Sequence, residues 1–271
     1  MKMIEGTTAP EVWLNASEYL ATQPKAEDFD VFLHVAEPTV LSSADAAVYK
    51  AVDAFLTTHG AFGLHTVAET IFPIDEYTRN GASGVFRDYP EKLRAIQKAR
   101  SDSNWGSYSY RILRQKDGTG KTYVPLEDLV EKIKQHGKYR ASFELGNGSP
   151  FEDDIAIYDG ATDRKRLYGG PCLSHLSIKI HDGKVRFNAT YRSHYYVRRL
   201  LGNLVGLGRL QYFIARETGL AMGGLTINST FARLDSGGSN EGSGGRWNKM
   251  EALELIRECR AIYNASGDAC T

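Results

Sequence analysis

The sequence predicts a protein of the α/β (α+β) class, because helical and strand periodicities occur together in one chain. Four segments repeat apolar residues every three or four positions, and one central segment alternates apolar with polar residues on both sides of a turn. A chain of 271 residues is long enough for one large domain or two small ones.

Three of the helical segments are predicted to be amphipathic helices with a structural role. They cover residues 44–58, 126–135 and 248–263. Gly60 follows the first and Gly137 follows the second, as is typical of helix ends. The Ser/Gly run at 236–245 precedes the last helix and is predicted to be a flexible linker.

The central segment is predicted to be a β-hairpin. Apolar and polar residues alternate over 176–181 and again over 185–191, and Asp182-Gly183 lies between them. A dipeptide of this kind favours a two-residue hairpin turn.

A long buried helix is predicted to follow this hairpin directly, since apolar residues recur at helical spacing from Ser193 to Gly219. Arg192 and Ser193 would then lie at a helix N-terminus, where unpaired N–H groups and the macrodipole favour an anion such as a phosphate. In the alternative interpretation, Arg192 pairs with a carboxylate and Ser193 is only an N-cap.

The charge balance excludes some partners. Lysine plus arginine total 33, as do aspartate plus glutamate, so no net field attracts nucleic acid or an anionic membrane. The three cysteines, Cys172, Cys259 and Cys270, are few and far apart, which favours a reducing compartment. With no signal-peptide core at the first residues and no apolar stretch of membrane-spanning length, we expect a cytoplasmic protein.

Cys172 is the strongest candidate for chemistry. It ends the sequence Gly169-Gly-Pro-Cys172, and Arg192 and Ser193 follow the next predicted strands. A nearby cation favours the thiolate, which is the nucleophilic form of cysteine. The alternative is that Cys172 is a small buried apolar residue.

In these residues the chain resembles the folate-dependent thymidylate synthases and the pyrimidine-nucleotide hydroxymethylases. The resemblance depends on five positions that occur in the order of the family's pattern. These are Glu69 within 65–72, Tyr108 at the end of 104–108, Pro171-Cys172, Arg192-Ser193, and Asn203 eleven residues after the arginine. It covers about residues 46–235 and implies a single thymidylate-synthase-like domain over 1–271, with a mixed β-sheet that is flanked by helices and packs at a dimer interface.

The resemblance implies a covalent mechanism at a pyrimidine nucleoside monophosphate. Cys172 would add to C6 so that C5 can attack a one-carbon electrophile, and methylation or hydroxymethylation would follow. Glu69 would transfer protons at the base, and Tyr108 would join that network or serve only in packing.

The resemblance also implies the groups that bind the substrate. Arg192 and Ser193 would hold the phosphate, and the Asn203 amide would pair with a uracil edge, since the cytosine enzymes tend to have aspartate there. Ser177 stands where the family has a glutamine facing the base. Arg140 is our candidate for a phosphate-binding arginine from the second subunit of a homodimer, and Arg164 and Arg166 compete for that role.

Several departures from the family put the cofactor in doubt. Leu173 replaces a histidine, Tyr195 replaces a folate-contacting aspartate, and Arg198-Arg199 replaces a Leu-Gly turn. The pair that contacts the sugar hydroxyl is not visible at 225–232. The resemblance implies 5,10-methylenetetrahydrofolate as the cofactor and no metal, but the folate-contacting positions have changed.

Three functions therefore remain open. The first is one-carbon transfer from the folate by a specialised homologue of the housekeeping enzyme. The second is folate-independent chemistry at C5 of a pyrimidine nucleotide. The third is a dimeric nucleotide-binding protein without turnover, although a binding protein needs neither a thiol nor a general base.

Overall fold

The computed structural model describes residues 1–93, 107–116, 119–136, 143–145, 171–235 and 247–267. Within these ranges the protein combines α-helices with a mixed β-sheet that the helices flank, and this confirms the predicted fold class. The named helices are α1 (Ala9–Thr22), α2 (Ser43–Thr58), α3 (Leu64–Glu69), α4 (Ile74–Ser83), α5 (Tyr108–Leu113), α6 (Pro125–His136), α7 (Leu201–Thr218) and α8 (Lys249–Ser266). Every helix in the described ranges falls short of a membrane-spanning segment in length or apolar content.

The strands include short pairs as well as long sheet members. They are β1 (Lys2–Gly6), β2 (Glu27–Val35), β3 (Gln115–Lys116), β4 (Thr122–Tyr123), β5 (Phe143–Leu145), β6 (Leu173–His181), β7 (Lys184–Tyr191), β8 (His194–Tyr195) and β9 (Ala221–Arg233). The predicted hairpin is confirmed as β6 and β7, and Asp182 and Gly183 both have positive φ in its turn. This turn conformation matches the twist of an antiparallel pair.

The three predicted amphipathic helices are confirmed as α2, α6 and α8, with ends that differ by at most three residues. Ser42 and Asn248 cap α2 and α8, and each forms a reciprocal capping box with an acidic residue three positions later. Such caps satisfy N–H groups that the helix itself leaves unpaired. The predicted linker at 236–245 lies outside the described residues.

The chain divides into two compact units. The first comprises Met1–Ala68, Tyr191–Gly208 and Gly224–Thr271, and the second comprises Glu69–Thr190 and Arg209–Gly223. The expectation of a single domain over 1–271 stays a prediction.

In the first unit, β2 lies between β1, which is parallel to it, and β9, which is antiparallel to it. The side chains of Trp13, Val31 and Leu33 are completely buried in its core. Asp45 links three helices, because its carboxylate accepts hydrogen bonds from Thr8 Oγ1 at 2.8 Å and from the hydroxyl of Tyr263.

In the second unit, β6 lies between β5 and β7. Phe213 of α7 is completely buried and its ring centroid lies 4.8 Å from that of Phe72. Gln211 of the same helix donates from Nε2 to the carbonyl oxygens of Val185 and Gly223, at 2.7 and 2.9 Å. These two bonds hold α7 against β7, which contains Val185, and against β9, which contains Gly223.

The junction after β7 differs from the prediction. A helix does not begin at Arg192 and Ser193, because β8 comes next and a π-helical turn at Tyr196–Leu200 then leads into α7. The backbone N–H groups of Val197 and Arg198 donate to Asp235 Oδ1 at 2.9 and 3.3 Å. The prediction that a helix begins at Ser193 is therefore wrong, and the first N–H groups of the π-helical turn bind a carboxylate of the chain itself. Anion binding by Arg192 and Ser193 stays a prediction.

Candidate active site

Tyr108 and Cys172 are brought together in the second unit. The hydroxyl oxygen of Tyr108 accepts hydrogen bonds from the backbone N–H groups of Cys172 and Leu173, at 2.9 and 3.1 Å. Tyr108 is the first residue of α5, and Ser107 caps that helix by accepting from the backbone N–H of Tyr110. The tyrosine thus holds the backbone of the turn that carries the thiol.

Cys172 lies just before β6 and is half-buried, whereas Leu173 is completely buried. Cys259, the other described cysteine, is completely buried on α8, and burial raises its pKa to about 12. A thiol with that pKa stays protonated at neutral pH and is a poor nucleophile. Of these two cysteines, Cys172 is the one that solvent and a ligand reach.

Glu69, the last residue of α3, is held on two sides. Its Oε1 accepts from the backbone N–H of Ile74 at 3.0 Å and lies 3.5 Å from Nη1 of Arg209. The side chains of Glu69 and Arg209 are 22% and 18% exposed, so both are partly withdrawn from water. An ion pair of this kind orients a carboxylate more strongly than a fully exposed pair does.

The segments that carry Glu69 and Tyr108 are adjacent. The backbone N–H of Ser109 donates to the carbonyl oxygen of Thr70 at 2.8 Å. Tyr89 lies close to both segments. Burial, followed by the charge of Glu69, raises the pKa of Tyr89 to about 12, and the hydrogen bond with Ser109 acts in the opposite direction. The phenol of Tyr89 therefore stays protonated. A carboxylate, two phenols and a thiol thus belong to neighbouring segments of the second unit.

Ser177 lies on β6, where it is buried and pairs in register with Glu144 of β5. Arg140 and the competing candidates Arg164 and Arg166 lie outside the described residues, as do residues 104–106 of the segment that ends at Tyr108.

The first unit contains Arg192, Ser193 and Asn203. The side chain of Arg192 is exposed, and its carbonyl oxygen accepts from Thr230 Oγ1 at 3.1 Å. Ser193 is half-buried. Both residues lie in the short connection between β7 and β8, where a side chain can reach solvent.

Asn203 is buried on α7 and belongs to a polar network. Its Nδ2 lies 3.0 Å from Nε2 of His194, and Nδ1 of His194 lies 3.0 Å from Oγ of Ser229. The hydroxyl of Tyr196 donates to the same Ser229 oxygen at 3.3 Å. Burial lowers the pKa of His194 to about 3, so this imidazole is neutral at physiological pH.

Sequence reasoning missed several residues of these clusters, among them Arg209, Tyr89 and His194. Arg209 gave a usable signal, because it is a charged residue within an otherwise apolar helical repeat. His194 follows Ser193 directly but has no periodic or motif context. Only its contacts identify it.

The positions at which the resemblance expects folate contacts form a cluster of their own. The guanidinium of Arg198 lies over the ring of Tyr195 at 5.0 Å, and its Nε lies 3.8 Å from Oδ2 of Asp235. Burial raises the pKa of Asp235 to about 6, against the opposing effect of the Arg198 charge. These residues do not fit the folate contacts of the family, because a buried ion pair stands where an aspartate and a Leu-Gly turn would be.

One curated protein matches part of this chain. Over 64 residues the chain is 36% identical to a protein of Methanothermobacter thermautotrophicus described as "Putative thymidylate synthase". The similarity is local. It covers 24% of this chain and 29% of that protein. No family model matches the chain.

Proposed function

We propose that this protein is a thymidylate synthase-like transferase, with a thymidylate-synthase-like fold, that transfers a one-carbon unit to C5 of a pyrimidine nucleoside monophosphate. The observation that carries the proposal is the pair of hydrogen bonds that Tyr108 accepts from Cys172 and Leu173. A phenol that fixes the backbone of a half-buried thiol preorganises a nucleophile. The local similarity to the Methanothermobacter protein supports the same reaction class.

In this mechanism the Cys172 thiolate adds to C6 of the base, and the electron pair of the C5–C6 double bond moves into the C4 carbonyl. The resulting enolate makes C5 nucleophilic. After C5 has bonded to the one-carbon unit, loss of the C5 proton to a base would expel the donor and leave an exocyclic methylene on C5. Hydride from a donor, or water, would then add to that methylene and give a methyl or a hydroxymethyl group, and the thiolate would depart as the C5–C6 double bond forms again. We assign the transfer of the C5 proton to Glu69. Its carboxylate is oriented by the backbone N–H of Ile74 and by Arg209.

We assign recognition of the nucleotide to Arg192, Ser193 and Asn203, with Ser177 facing the base. An exposed arginine suits a phosphate, because its guanidinium offers a planar fork of donors. A buried amide suits a base edge, because it offers one donor and one acceptor in a plane. Arg140 of a second subunit remains our candidate for a further phosphate contact.

5,10-methylenetetrahydrofolate would supply the one-carbon unit in the family that the chain resembles. The cluster of Tyr195, Arg198 and Asp235 departs from the family's folate contacts and does not fit this group. The same cluster favours the alternative of folate-independent chemistry at C5.

A homodimer is part of the proposal. One face of the sheet in the first unit is apolar and buried, whereas Phe32 and Asn228 on the opposite face are only partly buried. We expect this face to be covered by a second copy, and a monomer mass in sedimentation equilibrium would contradict it.

The decisive experiment measures tritium release from 5-tritiated UMP, dUMP, CMP and dCMP, with and without methylenetetrahydrofolate. Release only with the folate supports one-carbon transfer from that donor. Release without it supports the folate-independent alternative. Tight nucleotide binding with no release under either condition overturns the enzymatic proposal in favour of a binding protein.

A further inference from the structure

The side-chain amide of Asn203 is held by a chain of buried groups that sets its direction. His194, Ser229 and Tyr196 are at most 1% exposed, and Asn203 is 5% exposed. Each polar contact in the chain is between 3.0 and 3.3 Å long. Water does not compete for these bonds.

The His194 ring is fixed from its faces as well as its edges. Its plane lies within 6° of the Tyr191 ring plane, with centroids 4.1 Å apart. The ring of Tyr196 meets it edge to face, with centroids 5.6 Å apart. The imidazole therefore cannot turn over without displacing two buried aromatic rings.

A neutral imidazole has one donor nitrogen and one acceptor nitrogen. The hydrogen bond at one ring nitrogen therefore determines whether the other nitrogen donates or accepts. Because Nδ2 of Asn203 faces Nε2 of His194, Nε2 accepts, and the ring hydrogen is on Nδ1. That N–H donates to Ser229 Oγ, which also accepts from the Tyr196 hydroxyl. The Nδ1–H tautomer is the one consistent with this amide direction.

The direction of the amide decides which base it can pair with. With one N–H held by His194, Asn203 still offers its oxygen and its other N–H. Uracil presents the O4 acceptor and the N3–H donor, which this arrangement complements. The reversed amide, with its oxygen toward His194, exchanges donor and acceptor and complements the N4–H donor and N3 acceptor of cytosine.

We propose that His194, with Ser229, is a positioning residue that holds Asn203 in the orientation for uracil and against cytosine. This inference depends on the proposed nucleotide recognition by Asn203 and adds the physical reason for its base preference. His194 acts through Asn203 and need not touch the substrate.

The first test measures the tautomer in the intact protein without any nucleotide. Long-range ¹H–¹⁵N correlation spectra of histidine-labelled protein identify which ring nitrogen carries the hydrogen, and the His194→Phe variant assigns the signal. We expect hydrogen on Nδ1. Hydrogen on Nε2 would overturn the inference.

The second test measures binding of dUMP and dCMP by isothermal titration. Ser229→Ala removes the partner of Nδ1, so we expect the ratio of the two dissociation constants to move toward one by about tenfold. Ser17→Ala is the matched control: Ser17 is completely buried in the same unit, and its hydroxyl has no hydrogen-bond partner among the described residues. We expect it to leave the ratio unchanged.

A second variant covers the case in which Ser229→Ala does not fold. His194→Phe retains an aromatic ring beside Tyr191 but removes both nitrogens. It should likewise move the ratio of the dUMP and dCMP dissociation constants toward one. If wild-type protein binds none of dUMP, dCMP, UMP and CMP in these titrations, the proposed function fails, and this role with it. If it binds only the ribonucleotides, the ratio for UMP and CMP replaces that for dUMP and dCMP. If it prefers dUMP and the folded variants keep that preference, the inference alone fails.

Discussion

Two groups of polar side chains in this protein differ in their access to solvent. In the second unit, Cys172, Glu69 and Arg209 are partly buried and retain an exposed fraction. In the first unit, His194 and Ser229 are almost completely inaccessible. The first group has the access that a reacting group needs, and the second has the fixed geometry that a recognition group needs.

The difference follows from what each task requires. A nucleophile and a proton-transfer group must change partners during a reaction, so water and substrate must reach them. A group that discriminates between two bases must keep one orientation, and a buried, satisfied network supplies that rigidity. We therefore expect changes near Cys172 to alter the rate most, and changes in the first unit to alter selectivity or stability.

The largest expected effect is on turnover. Cys172→Ala removes the proposed nucleophile, so tritium release should fall by on the order of 10⁴-fold or more. Cys259→Ala is the matched control, because that thiol is completely buried and its pKa is raised to about 12 by burial. Full turnover of every pyrimidine nucleotide by the Cys172 variant would eliminate the covalent mechanism.

A smaller effect is expected on the pH dependence of stability. Asp235 has a folded-state pKa of about 6 against an ordinary 3.8, so between these values the folded state binds more protons than the unfolded state. The free energy of unfolding should therefore rise on acidification from pH 7 to pH 3, by about 3 kcal/mol from this group.

Asp235→Asn should abolish this contribution, and denaturant titrations across that pH range measure the difference from wild type. Asp28→Asn is a control for the sign, because the hydrogen bond from Tyr19 lowers the pKa of Asp28. In the wild-type protein, the stabilising contribution of Asp28 is present at higher pH and is lost as the pH falls. Equal slopes in wild type and the Asp235 variant would contradict the burial argument.

The smallest expected effect belongs to Tyr108. Tyr108→Phe leaves two backbone N–H groups without their acceptor, which should lower the free energy of unfolding by about 1–3 kcal/mol. Tritium release and the alkylation rate of Cys172 should also change, because the turn that carries the thiol is no longer held. Tyr77→Phe is the comparison, since its hydroxyl binds Glu217 in the same unit. If Cys172 were alkylated at the same rate in the Tyr108 variant as in the wild type, Tyr108 would have only a packing role.

The sequence predicted the elements with strong local periodicity. The helices at 44–58, 126–135 and 248–263 and the hairpin around Asp182-Gly183 are present, because amphipathic spacing, caps and turn residues are local signals. The helix expected to begin at Ser193 begins later. Asp235, which is 38 residues after Val197, supplies the carboxylate that binds its first N–H groups, and no local pattern encodes such a partner.

For the candidate site, the sequence by itself determined which residue types are available and their order: Glu69, Tyr108, Cys172, Arg192, Ser193 and Asn203. The tertiary structure decided their partners. Tyr108 contacts a residue 64 positions away, Glu69 pairs with an arginine 140 positions away, and His194 contacts Ser229, which is 35 positions away. Such pairings depend on how strands and helices pack, and packing is a property of the whole chain rather than of any window within it.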